Sequence, residues 1–237
     1  WEGGRGVKRF EHTAMTEGAP VLSVRDLHFP ALPPMTFDIR RGEIAFLRDE
    51  NYNTGRRLHE CFLGDRGWTS GFFRLNGRLY QPGDLGRVIG SEIGIQIERP
   101  DRPGGVLFDN MTALDNLCTS LIPKAGQHII RKKIVSSILS EALRWFPKEM
   151  LLQPLSSWSY PERLRFSYYR WYLLNPRLLI CFFPFAGQES THHKMIIDLL
   201  VLCAQRGMAV WIISSGIDAI CEKTDNEEFL RRLHYLN

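Results

Sequence analysis

The spacing of apolar positions changes character several times along the chain. From residue 21 to 40 it predicts an antiparallel β segment, broken at Pro30, Pro33 and Pro34. Residues 42–48 hold the apolar run Ile44-Ala-Phe-Leu47, which predicts a buried parallel strand, and 56–63 predict a helix closed by Gly64. Residues 71–97 alternate as short strands with a turn at Asn76-Gly77. Asp101-Arg-Pro-Gly-Gly105 is a loop. A helix is expected from Thr112 to Leu121. A longer apolar period through Ile129, Ile130, Ile134, Ile138, Leu139 and Leu143 marks a helix from Gln127 to Phe146. Pro161–Leu174 and His192–Arg206 are predicted helices, Arg177–Phe183 and Ala209–Ser214 strands, and Asp225–Leu236 a terminal helix. Strand–helix alternation in the second half implies a parallel sheet with helical crossovers. The expected fold class is α/β, with a mostly parallel core sheet, an N-terminal antiparallel β part and a helical insertion at about 111–157. Residues 1–19 are Gly-rich, charged and aperiodic and are expected to be a flexible tail or linker before one domain at 20–237.

Between the strand at 42–48 and its helix lies a stretch that should carry chemistry. A phosphate loop needs GxxxxGK[ST] there. Its glycines let backbone N–H groups approach phosphate, its Lys neutralises charge, and its hydroxyl holds Mg²⁺. The chain has Asp49-Glu50-Asn51-Tyr52-Asn53-Thr54-Gly55-Arg56-Arg57 instead. One glycine remains, no Lys follows it, and two carboxylates stand where oxyanions would approach. A one-residue slip would place Arg56 on the Lys position, but Arg57 then replaces the hydroxyl. The expectation is a solvated turn whose helix is capped by Asn53 or Thr54. Arg56 and Arg57 are candidates for binding a smaller anion.

Composition narrows the alternatives. A hydrophobic fraction of 44% supports a sizeable core, and a net charge of +4 is mild. The basic residues are scattered, with Arg131-Lys-Lys133 the densest group, so no nucleic-acid partner is expected. The five cysteines are far apart and have no metal-ligand spacing. His192-His193 are adjacent and do not share a helix face, so no metal site is expected. No stretch of about 18 apolar residues occurs, so membrane association would come through a partner.

Several fragments, in order, resemble the nucleotide-binding subunit of ABC transporters, and most the second cassette of ribose- and xylose-type monosaccharide importers. They are Val21-Leu-Ser-Val-Arg-Asp-Leu27, Met35-Thr-Phe-Asp-Ile-Arg-Arg-Gly-Glu-Ile44, Ser70-Gly-Phe-Phe-Arg-Leu-Asn-Gly77, Leu173-Leu-Asn-Pro-Arg-Leu-Leu-Ile180 and Arg206-Gly-Met-Ala-Val-Trp-Ile-Ile-Ser-Ser215. The resemblance implies a P-loop NTPase-like ABC cassette. It also implies where the remaining motifs fall. With Pro184 and Gly187 on the Walker B motif, Phe182 takes the place of the Mg²⁺-linked Asp and Phe183 that of the Glu that polarises water. Two phenyl rings do neither, and both are expected to fill the vacated nucleotide volume. The signature loop corresponds to Ser159-Tyr160-Pro161-Glu162, with Ser159 kept, two glycines replaced and a negative charge added. Gln96 or Glu98 is the polar residue of the loop after the central strand, which also holds Asp101-Arg102. Ser214-Ser215 stand at the switch position, Glu189 near the D-loop Asp, and helical Glu227–Leu236 in place of the closing β segment.

The resulting expectation is a pseudo-ATPase with no catalytic residues and no cofactor. It would be a structural or regulatory cassette of a sugar-importer-type system. Its partner would be another cassette, in a homo- or heterodimer, or a membrane permease subunit, and its location cytoplasmic, at the inner face of the membrane. Two alternatives stand beside it. One is a functional importer subunit that uses ATP and Mg²⁺; the other is a soluble sensor of an anionic ligand.

Overall fold

A computed structural model describes residues 18–65, 67–98, 107–125, 132–186 and 190–236. Most of the expected tail, the Asp101-Arg102 loop, residues 127–131, Gly187 and Glu189 lie outside them.

Two sheets organise the chain. Strands β1 (Leu22–His28), β2 (Met35–Ile39), β4 (Ser70–Leu75) and β5 (Arg78–Tyr80) form an antiparallel sheet in the order β2-β1-β4-β5. The second sheet has the order β6-β7-β8-β3-β9, from β3 (Ile44–Arg48), β6 (Ile93–Ile97), β7 (Leu178–Phe182), β8 (Ala209–Ser214) and β9 (Leu233–Leu236). All its pairings are parallel. Every residue of β7 and β8 is buried, as a parallel sheet covered on both faces requires. The pleat sorts them. Leu178, Ile180, Phe182, Trp211 and Ile213 face a core shared with the antiparallel sheet and helix α1 (Asn53–Leu63). Leu179, Cys181, Val210 and Ile212 face helices α6 (Tyr160–Leu174), α7 (Ser190–Gln205) and α9 (Glu227–Arg232). The α/β fold class expected from the sequence is the one observed.

Local chemistry accounts for the turns. Asn76 and Gly77 both have positive φ, 48° and 78°, which gives the two-residue hairpin turn between Leu75 and Arg78. The register of β1 shifts around Asp26, whose φ is 46°. Gly71 crosses that bulge at φ +83°, and a Cβ there would lie 2.1 Å from the Asp26 carbonyl oxygen. Gly71→Ala therefore meets both strain and a backbone clash. It should lower unfolding free energy by about 2 kcal/mol or more, read as a shifted urea midpoint.

Between β6 and α6 the described chain is helical. A four-residue turn, α2 (Pro82–Leu85), precedes β6. After it come α3 (Ala113–Ala125), α4 (Lys132–Ala142), α5 (Lys148–Leu151) and a 3₁₀ turn at Leu155–Ser157. They share a third core around Ala113, Leu117, Ile138, Phe146, Trp158 and Phe166. The helix expected to reach Phe146 ends at Ala142. Phe146 precedes Pro147, which disfavours a helical conformation there, and α5 starts afresh behind that proline.

The C-terminal reading needs correction. A helix absent from it, α8 (Ile217–Lys223), follows β8, and the expected helix Asp225–Leu236 is the short α9 followed by strand β9. The Asn226 side chain caps α9 by accepting from the Phe229 N–H at 2.9 Å. From Leu233 the chain extends and pairs with β3, satisfying backbone groups that β3 would otherwise expose at the sheet edge. Tyr235 lies edge-on to Phe46, 5.9 Å between centroids.

Candidate functional site

The loop between β3 and α1 is held by its own first residue. Asp49 is only 5% exposed. Its carboxylate accepts from the Gly55 N–H at 2.7 Å and the Thr54 N–H at 3.3 Å. Those amides belong to the first turn of α1, where partial positive charge and unpaired donors coincide. The cap expected of Asn53 or Thr54 is thus supplied from upstream. Tyr52 is the N-cap residue, with φ 57° and no side-chain capping bond. The Asp49 N–H donates to the Ser214 carbonyl at 2.9 Å, which ties the loop to the end of β8. That places buried Ser214 at the back of the loop.

The second carboxylate behaves differently. Glu50 is exposed and lies 3.6 Å from Arg48, which also reaches Asp218 of α8. Asn51, Asn53 and Arg56 are exposed, and the Arg57 guanidinium lies 3.5 Å from the Glu60 carboxylate. Arg57 therefore does not converge with the α1 amides on one anion: Asp49 holds the Thr54 and Gly55 donors, and Arg57 turns to Glu60.

Phe182 and Phe183 were expected to act together, but they separate. Phe182, the last residue of β7, is fully buried on the α1 face, with its ring 5.6 Å from that of His59. It is core. Phe183 follows the strand at φ 54°, its N–H donating to Ile213 at 2.9 Å. Its ring meets Tyr52 edge-on at 4.7 Å, and a Cβ on Gly55 would lie 2.5 Å from it. Phe183 alone covers the loop, so a ring and a carboxylate fill the space against the one remaining glycine.

The signature segment is also self-satisfied. The Ser159 N–H and hydroxyl donate to one Glu162 oxygen at 2.8 and 2.6 Å. These bonds hold the Glu162 carboxyl below its usual range. Pro161 occupies the first turn of α6, where its missing N–H costs little. The Tyr160 ring stacks obliquely on His192 at 5.4 Å.

Gln96 was read as a loop residue; it is buried inside β6. Its amide donates to Glu98 at 2.6 Å and to the Ser167 hydroxyl at 3.1 Å, and accepts from the Trp171 indole at 2.8 Å. This network joins the sheet to α6. Its signal lay in the sequence: Gln96 and Glu98 share a strand face, Ser167 and Trp171 a helix face. Other chemistry is sparse. All five cysteines are free, and burial pushes their thiols up, to about 12 for Cys61 and Cys203. None is poised as a nucleophile. Among the described residues no group of three or more His, Cys, Asp and Glu could hold a metal, and no helix is long and apolar enough to cross a membrane.

No protein-family model matches the chain. A ribose/galactose/methyl galactoside import ATP-binding protein of Pseudomonas syringae pv. tomato is 26% identical over 212 residues, covering 88% of this chain and 40% of the relative. The fructose import ATP-binding protein of Bifidobacterium longum is 24% identical over 241 residues, 97% of this chain and 45% of the relative. The chain thus spans less than half the length of these relatives. Among solved structures, an ABC transporter subunit from Clostridium perfringens superposes with a TM-score of 0.69 at 19% identity, covering 92% of this chain and 85% of that one. A dimeric cassette in a post-hydrolysis state with ADP and phosphate gives 0.64 at 16% identity, covering 91% and 94%. A chain with this sheet order, this strand–loop–helix unit and these relatives has the fold of an ATP-binding cassette, and resembles in sequence the ATP-binding proteins of sugar importers.

Proposed function

We propose that the chain is a non-hydrolysing cassette: it keeps the fold for binding a partner and leaves phosphate chemistry to that partner. One observation carries the reading. The Asp49 carboxylate and the Phe183 ring occupy the loop where a polyphosphate would need free amides and an open glycine cradle. A triphosphate entering there would displace a bonded carboxylate while meeting its negative charge, with Arg57 already committed to Glu60. Phe182 and Phe183, at the end of β7, offer neither a ligand for Mg²⁺ nor a base for water. Neither ATP nor Mg²⁺ is a resident cofactor in this reading.

The partner is a second cassette, either another chain or another part of a longer one. The relatives are roughly twice this chain in length, enough for two such units. Through that partner and a membrane permease the chain would sit at the cytoplasmic face of a sugar-import system. The sugar imported by the relatives is a property of those proteins.

Calorimetry with Mg·ATP, alongside a phosphate-release assay, tests this. The expected result is no saturable binding below millimolar concentration and no release above buffer. Phe183→Glu should not create turnover, since no metal ligand accompanies it. Micromolar binding, or turnover abolished by Arg56→Ala, would return the chain to the working importer subunits.

A further inference from the structure

We propose that Asp49 is a resident anion that keeps the phosphate loop permanently in its loaded form, so that the loop is blind to nucleotide concentration. This rests on the reading of the chain as a non-hydrolysing cassette, and adds how that cassette is held in one state.

The argument begins with what a phosphate does in such a loop. It gathers the N–H groups at a helix N-terminus, which otherwise face solvent without intrahelical partners. Here a carboxylate of the chain makes those contacts, to Gly55 at 2.7 Å and Thr54 at 3.3 Å. The carboxylate is no surface cap: Asp49 is buried, and its own N–H is bonded to Ser214 on the neighbouring strand. Its backbone is therefore fixed by the sheet and its side chain aimed from below the loop.

Phe183 supplies an independent observation. A non-glycine residue at φ 54° is uncommon, and a bulky one there is costly. That conformation places its ring against Gly55, where no Cβ fits. Tyr52, also at positive φ, closes on the ring from outside. The carboxylate serves the amides and the two rings shut the cradle. A bound phosphate leaves these amides when its nucleotide dissociates, whereas a carboxylate of the chain stays. This loop cannot lose its anion, so the surface around Tyr52, 47% exposed, offers a partner the same shape whether nucleotide is abundant or absent.

The experiment removes the anion and offers another. In Asp49→Ala, thermal midpoints are measured with and without 20 mM inorganic phosphate at constant ionic strength. Hydrogen exchange at the Thr54 and Gly55 amides is read in parallel. Wild type should show both amides protected without added anion and a midpoint that phosphate does not move. The alanine variant should lose at least tenfold in protection at both amides, and phosphate should raise its midpoint by several degrees. Asp49→Leu, close in size and without a hydrogen-bond acceptor, keeps the test alive if the alanine variant does not fold: Gly55 exchange should still quicken about tenfold. Equal phosphate effects on wild type and variant, no phosphate effect on the folded alanine variant, or unchanged Gly55 exchange in the leucine variant would overturn the proposal. Each of these leaves the absence of ATP turnover standing, whereas Mg·ATP hydrolysis by wild type would remove that reading first.

Discussion

Phe182→Asp, which would return an acidic residue to the end of β7, should unfold the chain rather than arm it. Phe182 is fully buried against α1 and the core between the sheets. Removing a buried phenyl ring costs about 3–5 kcal/mol by itself. A carboxylate in that apolar setting has the His59 ring as its polar neighbour, 5.6 Å from the Phe182 ring, and adds a desolvation penalty of several kcal/mol unless a proton neutralises it or pairs it with that imidazole. A domain of this kind has about 5–15 kcal/mol in total, so most or all of it is consumed. Circular dichroism and urea denaturation check the result. A folded variant with wild-type midpoint and Mg²⁺-dependent phosphate release would contradict it. The substitution at Phe182 is therefore no isolated loss that one reversion could repair, because the surrounding packing is built for a ring.

The second large effect is Trp211→Ala. Trp211 is fully buried at the centre of β8, between the two sheets, with Phe37 at 5.1 Å between ring centroids. Its loss should cost about 3–5 kcal/mol. Trp211→Phe separates ring volume from the indole N–H. Because that N–H has no hydrogen-bond partner among the described residues, the milder change leaves no acceptor there orphaned and should cost only about 1–2 kcal/mol. A phenylalanine variant as damaged as alanine would mean that the indole has a polar role.

Much of this architecture was legible in the sequence. The parallel strands read directly, because β3, β7 and β8 are solid apolar runs bounded by turn or polar residues. The Asn76-Gly77 hairpin read correctly because few dipeptides tolerate two positive φ values. What escaped was what depends on partners distant in sequence. Nothing local in Leu233-His-Tyr-Leu236 distinguishes a helix tail from an edge strand; the open side of β3 decides it. The carboxylates at 49 and 50 looked equivalent as repulsive charges. The strand buries one beneath the helix and exposes the other, so Asp49 becomes a ligand and Glu50 a surface ion pair. Phe182 and Phe183 divided for the same reason: strand geometry sends the first into the core, and a positive φ turns the second outward over Gly55.

The placement of β3 also sets a timetable. Its sheet neighbours are β8, through pairs such as Ile44 with Val210, and β9, through Ile44 with Leu233. Both come from the far end of the chain. The antiparallel sheet, by contrast, uses only segments before residue 81. During synthesis that sheet has all its partners early, while β3 waits. At about 5–20 residues per second the wait between Leu47 and Val210 is on the order of 10–30 s. Through it, an apolar strand with both edges unpaired is offered to any passing chain, and the nascent protein needs either a chaperone or a slow, non-local closing step to survive its own translation.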